Sequence, residues 1–323
     1  MEIIAVTASF LWAFKAGAPA DAPPAPTDEV VYYATADKAL YTLSPADGKK
    51  LWRKSFKAPL PSAPVVAGDV IFQFVPFPEG RVYALGARDG RKRWRAPAGP
   101  GLTGLAPCGE AVAVGKESDI VFYDAAAGRE LRRVEMESRV AAVAPAAPGR
   151  VVAVTASGDV ALCAAASAVP VWVTRVGVGA AYAAADADAV YVATAAGVVA
   201  ALAPADGAEV WRRELGEAAT AAPVPAGAAL VVAGRRTVFA LDAASGEVRW
   251  TFAPGGNVVG AAPWGEGAVA ACEDGRVFYG SASGPAGEIA TLAAFAAAAP
   301  AVRGDLLYLA DGAKRLNCYQ LRR

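Results

Sequence analysis

The chain contains no histidine. That absence removes imidazole metal ligands, Ser-His and Cys-His nucleophile pairs and histidine general bases together. Cysteine is scarce. Cys108, Cys163, Cys272 and Cys318 stand far apart, with no adjacent pair and no C-x-x-C. Such spacing fits small buried apolar residues. It leaves a bridge such as Cys272 with Cys318 open, and the redox compartment with it. An excess of either charge is missing too, since 31 Lys and Arg balance 31 Asp and Glu over 323 residues. There is no basic field to draw nucleic acid or an anionic membrane. No apolar run reaches the length of a membrane span. Ile3 to Phe14 is apolar but follows acidic Glu2 and lacks a basic leader and an A-x-A cleavage pattern. It therefore reads as structure, and no signal peptide is visible.

What is present is a globular composition, 55% hydrophobic and 19% charged, and a repeat. Its clearest copy is Ala240 to Trp250, A-L-D-A-A-S-G-E-V-R-W. A strand through Val238 and Ala240 leads to a polar turn closed by Gly246, and a second strand ends in Trp250. Asp242 is placed to bond the backbone of that turn, and glycine takes the positive φ it needs. Asp47-Gly48 precedes Trp52, Asp89-Gly90 precedes Trp94, and Asp206-Gly207 precedes Trp211, each Trp four residues past its Gly. With Trp12, Trp172, Arg132 and Thr291 at the same place, eight positions recur at about 40 residues, the size of a four-stranded propeller blade. Prolines 24, 64, 107, 145, 223, 263 and 300 give the same period, with a gap near Ala184.

Seven strand sets complete themselves along the chain. The last three strands, around Val302, Leu306 to Leu309 and Arg315 to Tyr319, lack a fourth. Leu11 to Lys15 (L-W-A-F-K) carries the outer-strand pattern of Leu51 (L-W-R-K-S) with no blade before it. Pairing the two removes two open sheet edges. The expectation is an all-β, eight-bladed β-propeller of four-stranded antiparallel blades. One domain spans residues 1–323, with blade 8 formed by about 292–323 plus 1–15. Abundant alanine favours helix locally, but the period-two pattern and the frequent Gly and Pro argue for strands.

On these residues the chain resembles the PQQ-like (quinoprotein-type) propeller repeat, with blade signature A-x-D-x-x-[ST]-G-x-x-x-W. Ala240 to Trp250 matches it throughout; residues 44–52, 86–94, 124–132 and 203–211 match in part. The resemblance implies one of three roles. A dehydrogenase branch holds pyrroloquinoline quinone and Ca²⁺ on the propeller axis. A non-catalytic branch is typified by the periplasmic β-barrel assembly lipoprotein BamB. Other members are extracytoplasmic sensors or ligand-binding domains. The dehydrogenases resembled use vicinal cysteines beside the cofactor, which this chain lacks, and the inner strands offer mainly Ala, Val and Pro. The reading is a non-catalytic scaffold without cofactor or metal, most similar to the BamB-like branch. A sensor propeller is the alternative and a dehydrogenase the remote one. Periplasmic or other extracytoplasmic placement is implied by the resemblance alone. So is a protein partner, such as an outer-membrane assembly component, for a chain expected to be monomeric.

Trp12, Trp52, Trp94, Trp172, Trp211 and Trp250 read as packing residues between blades, not as a ligand site. For the partner surface, the second-to-third-strand turns and the connections into the next blade emerge on one face. That brings Leu60, Phe74 and Phe77 toward one exposed apolar patch, stiffened by Pro59, Pro61, Pro76 and Pro78. Arg235 and Arg236 replace the small or acidic residues of the sibling turns and are expected on the same face, four blades away.

Overall fold

A computed structural model describes residues 6–99, 102–177 and 179–323. It is an eight-bladed β-propeller, each blade a four-stranded antiparallel sheet. Blade 1 is Ala25–Pro26, Val31–Thr35, Ala39–Leu43 and Lys50–Ser55. Blade 2 is Val65–Ala67, Val70–Val75, Arg81–Gly86 and Lys92–Pro97. Blade 3 is Leu102–Cys108, Ala111–Lys116, Asp119–Asp124 and Glu130–Glu135. Blade 4 is Val140–Pro145, Arg150–Thr155, Asp159–Ala164 and Trp172–Arg175. Blade 5 is Ala180–Ala185, Val190–Thr194, Val198–Leu202 and Glu209–Glu214. Blade 6 is Val224–Ala226, Ala229–Ala233, Val238–Asp242 and Val248–Phe252. Blade 7 is Val258–Trp264, Gly267–Cys272, Arg276–Ser281 and Gly284–Thr291. Blade 8 takes Ala301–Arg303, Leu306–Ala310 and Arg315–Arg322 from one end of the sequence and Thr7–Lys15 from the other. The pairing that completes it runs from Thr7↔Arg322 to Lys15↔Arg315, as the L-W-A-F-K pattern predicts. Ile3 to Ala5 lie outside the described residues.

The second and third strands of each blade are buried along nearly their whole length, as in Val31–Thr35, Ala39–Leu43 and Val70–Val75. Both faces of such a strand are covered, so its sequence is continuously apolar. The expected period-two alternation survives on fourth strands, where Trp94 and Ala96 are buried between exposed Arg93, Arg95 and Pro97. Contacts divide the chain into two compact units, Met1–Pro64 with Val231–Leu241 and Val248–Arg323, and Val65–Leu230 with Asp242–Glu247. The first holds apolar clusters between blades 8 and 1, 7 and 8, and 6 and 7. The second holds clusters between blades 2 and 3, 3 and 4, and 4 and 5. All four cysteines are free thiols inside these clusters.

The recurrent Trp and Gly prove to be one contact. In the first unit the Trp12 indole N–H donates to Pro45 O at 2.9 Å in the blade 1 hairpin. In the second, Trp94 reaches Ala125 O at 2.8 Å, Trp172 reaches Pro204 O at 3.1 Å and Trp211 reaches Ala243 O at 3.0 Å. In every case the acceptor lies three residues before the hairpin glycine of the next blade, and that glycine lies under the ring. A Cβ on Gly128 would stand 2.5 Å from Trp94 Cδ2, and one on Gly207 2.5 Å from Trp172 Cε3. The same glycines hold φ of +70° and +74°, which closes the turn. Asp242 Oδ1 accepts from Ala244 N and Ser245 N, both at 3.0 Å, and Asp124 repeats this in blade 3. Thus Asp shapes the hairpin and Gly seats the neighbour's Trp, whose buried N–H is satisfied across the blade boundary. Trp52 and Trp250 are half-buried, packed on Tyr32 and Phe252.

Candidate functional site

Of the residues singled out for binding, Phe77, Arg235 and Arg236 lie in turns between second and third strands, Phe74 in a second strand and Leu60 in a connection between blades. In blade 2, Val70–Val75 leads into Pro76 to Gly80 before Arg81–Gly86 resumes the sheet. Glu79 N and Gly80 N both donate to Pro76 O, at 3.0 and 3.1 Å. The Tyr83 hydroxyl donates to the Glu79 carboxylate. Burial, followed by this bond, raises the Tyr83 pKa and keeps the phenol protonated as donor. Ala98 N donates to Gly80 O at 2.8 Å, tying the loop to the segment that leaves the blade. On this braced loop, with a cis Phe77-Pro78 bond, Phe77 is 81% exposed, more than any other large apolar residue described.

The apolar patch expected around it is not there. Leu60 and Phe74 are buried, 0% and 4% exposed. Phe74 belongs to a second strand, which is covered on both faces, and packs with Val82, Trp94 and Val114. Leu60 is drawn inward with its connection, its N–H bonded to Thr35 O at 3.3 Å. Phe77 is left as the exposed member of the three.

Arg235 and Arg236 are both exposed, in the turn between the second and third strands of blade 6. Gly234 N bonds Thr237 O, and Val258 N bonds Arg235 O, each at 2.8 Å, so the backbone beneath them is fixed. They belong to the first unit and Phe77 to the second. The Trp residues take the packing role described above.

The residues do not fit pyrroloquinoline quinone with Ca²⁺. A calcium site needs several converging oxygen ligands, and among the described residues no three acidic, cysteine or histidine side chains converge. The thiols are buried and reside in different blades. Burial pushes Cys163 and Cys318 up to about 12 and Cys272 up to about 11, so they are protonated at neutral pH and are poor nucleophiles.

The model of the family described as outer membrane protein assembly factor BamB matches residues 2–117, 78–220 and 116–322, essentially the whole chain. The chain belongs to this family. Solved structures agree on the fold. BamB from Moraxella catarrhalis superposes with TM-score 0.79 at 18% identity, covering 98% of each chain. The computationally designed protein Ika8 gives TM-score 0.84 at 13% identity, over 97% of this chain and 99% of its own. Sqt1 from Saccharomyces cerevisiae gives 0.81 at 10%, over 98% and 100%. At such identities the likeness is one of fold. No curated protein sequence matches the chain. No helix described is long and apolar enough to cross a membrane.

Two kinds of exposed apolar residue had not been anticipated. Phe295, 57% exposed, packs beside Gly312 in the connection from blade 7 to blade 8. The Ala run around it gave no sign of this. The second kind lies in or beside fourth strands: Val169, Val171 and Val173 in blade 4, with Leu51, Val210, Val248 and Leu11 in blades 1, 5, 6 and 8.

Proposed function

We propose that the chain is a non-catalytic, protein-binding scaffold that works outside the cytoplasm in outer-membrane assembly, with Phe77 as an anchor for its partner. The observation that carries this reading is Phe77 itself: a large aromatic, 81% exposed, on a loop whose backbone is tied at Pro76, Gly80 and Ala98. A side chain held out on a rigid loop loses little entropy on docking, and aromatic anchors dominate protein interfaces. The BamB family match supports the class of partner, and the poor fit to quinone and Ca²⁺ supports the absence of catalysis. Arg235 and Arg236 offer a separate exposed cationic contact for carboxylates.

The test is affinity capture from the native cell envelope, asking whether an outer-membrane assembly barrel is recovered. Phe77→Ala should weaken that capture about tenfold or more, as loss of a hot spot does, and leave the melting temperature nearly unchanged. Undiminished capture by the variant removes the anchor. A stability loss of about 3–5 kcal/mol would make Phe77 a core residue and the loop a structural one.

A further inference from the structure

Trp264 is the one tryptophan that stands outside the 40-residue repeat. It ends the first strand of blade 7, where the other seven blades have proline, alanine, cysteine or arginine. Its ring is buried and meets Tyr279 edge-on, with centroids 5.6 Å apart. Beside it lies an open cleft of about 680 Å³, lined by Trp264, Gly265, Gly304, Asp305 and residues 320–323. That volume falls within the roughly 300–1,000 Å³ of small-molecule sites. The whole cleft belongs to the first unit, on the face of the turns between first and second strands.

Two opposite charges border this ring without meeting. The indole N–H donates to Asp305 Oδ1 at 3.0 Å. The Arg323 guanidinium lies over the ring face, 5.6 Å from its centroid, in a cation–π contact. Gly265 makes room for it, since a Cβ there would collide with the guanidinium. Among the described residues, none of Asp305, Arg322 and Arg323 has an ion-pair partner. Blade 2 shows the contrast. There Asp69 follows the same turn glycine and is neutralised at 2.6 Å by Arg93, the residue before the blade Trp. In blade 8 that place is held by Leu11, and Asp305 is left facing the cleft.

We propose that the cleft binds a small zwitterion of the α-amino acid class, its carboxylate on Arg323 and Arg322 and its ammonium on Asp305. A guanidinium held against an aromatic ring presents its N–H fork to a carboxylate. Asp305 spends one oxygen on the indole and has the other for a donor. A dianion meets the repulsion of Asp305, and a plain amine that of two arginines. Both charges touch one indole, so the ligand's own charges must lie close together, as they do on a single α-carbon. Leu321 and the indole edge give an aliphatic side chain its contact. The cleft shares no residue with the Phe77 loop, and neither depends on the other.

The probe is L-leucine, titrated into the full chain by calorimetry. Beside it run 4-methylpentanoate, which lacks the ammonium, and 3-methylbutylamine, which lacks the carboxylate. Leucine should bind, with a change in indole emission that Trp264→Phe removes. Each half-ligand should bind about tenfold more weakly or worse, because it loses one charged hydrogen bond. Arg323→Gln should weaken leucine about tenfold or more at an unchanged melting temperature, since its side chain is exposed. Asp305→Asn still accepts from the indole; it should weaken leucine and not weaken 4-methylpentanoate. Phe77→Ala should leave leucine binding as it was. No binding of leucine overturns the proposal, and so does full binding by Arg323→Gln. A half-ligand that binds as well as leucine would make the cleft a plain anion or cation site and overturn it too.

Discussion

Gly128→Ala tests whether the repeat exists to join blades. Two costs are expected. Gly128 holds φ +70°, where a Cβ costs roughly 1–2 kcal/mol. That Cβ would also stand 2.5 Å from Trp94 Cδ2 and 2.7 Å from Cγ. Neither atom belongs to a flexible tip, since Trp94 is anchored by its 2.8 Å bond to Ala125 O and by packing on Phe72. Forcing the ring aside adds about 1–3 kcal/mol, the usual cost of overpacking. Gly149 supplies the control: its φ is +72°, but an added Cβ meets nothing within 4 Å. Gly149→Ala should therefore show only the backbone cost. Trp94→Ala alone should cost about 3–5 kcal/mol. Combined with Gly128→Ala it should cost less than the sum by about 1–3 kcal/mol, because the new methyl enters the space the ring has left. Urea unfolding at matched slopes measures all four variants against the wild type. If Gly128→Ala and Gly149→Ala cost the same, and the double variant is additive, the glycine serves the turn alone and the inter-blade argument is wrong.

Removing the strand Thr7–Lys15 should bare the edge of Arg315–Arg322 and leave the partners of Trp12 without its ring, giving aggregation or loss of cooperative unfolding. A truncated chain that stays monomeric with an unchanged melting temperature would refute this. Adding pyrroloquinoline quinone and Ca²⁺ should not raise the melting temperature; a ligand at 100 times its Kd adds about 2.7 kcal/mol, which a melt would reveal. For the thiols the sign follows from burial. Burial pushes Cys163 and Cys318 up to about 12 when folded, against 9.0 for an unperturbed thiol, so their protonated forms favour the folded chain. That stability is complete below pH 9 and is lost between about 9 and 12 as the unfolded chain ionises first. Chemical denaturation across that window measures the loss, and iodoacetamide at pH 8 should label the thiols only after unfolding.

Much of the fold was legible because it is written several times over. Asp, Gly and Trp recur at fixed offsets, and the lone L-W-A-F-K segment has one place to go, the edge of Arg315–Arg322. The candidate site was far less legible. Leu60, Phe74 and Phe77 look alike as apolar residues near prolines, yet they are 0%, 4% and 81% exposed. Phe74 is next to last in a second strand buried on both faces, and Phe77, three residues on, has passed beyond the sheet. Period-two reasoning assumes one wet face, and these strands have none.

A contact shared between repeats makes its two halves dispensable together. Where blade 3 has Arg132 in place of Trp, the blade 4 hairpin has Ala168 in place of Gly. Where blade 7 has Thr291, blade 8 has no hairpin joining Arg315–Arg322 to Thr7–Lys15. Blade 6 keeps Trp250, but the blade 7 hairpin is rebuilt, and Phe252 packs beside Gly280 instead. Such paired losses follow from packing alone and need no function. Phe77 is of another kind. No large apolar residue described in a sibling blade is as exposed as Phe77. A change that leaves the packing intact and alters only what faces solvent has no structural gain to explain it. Docking of a partner, as proposed for Phe77, would supply a use for it.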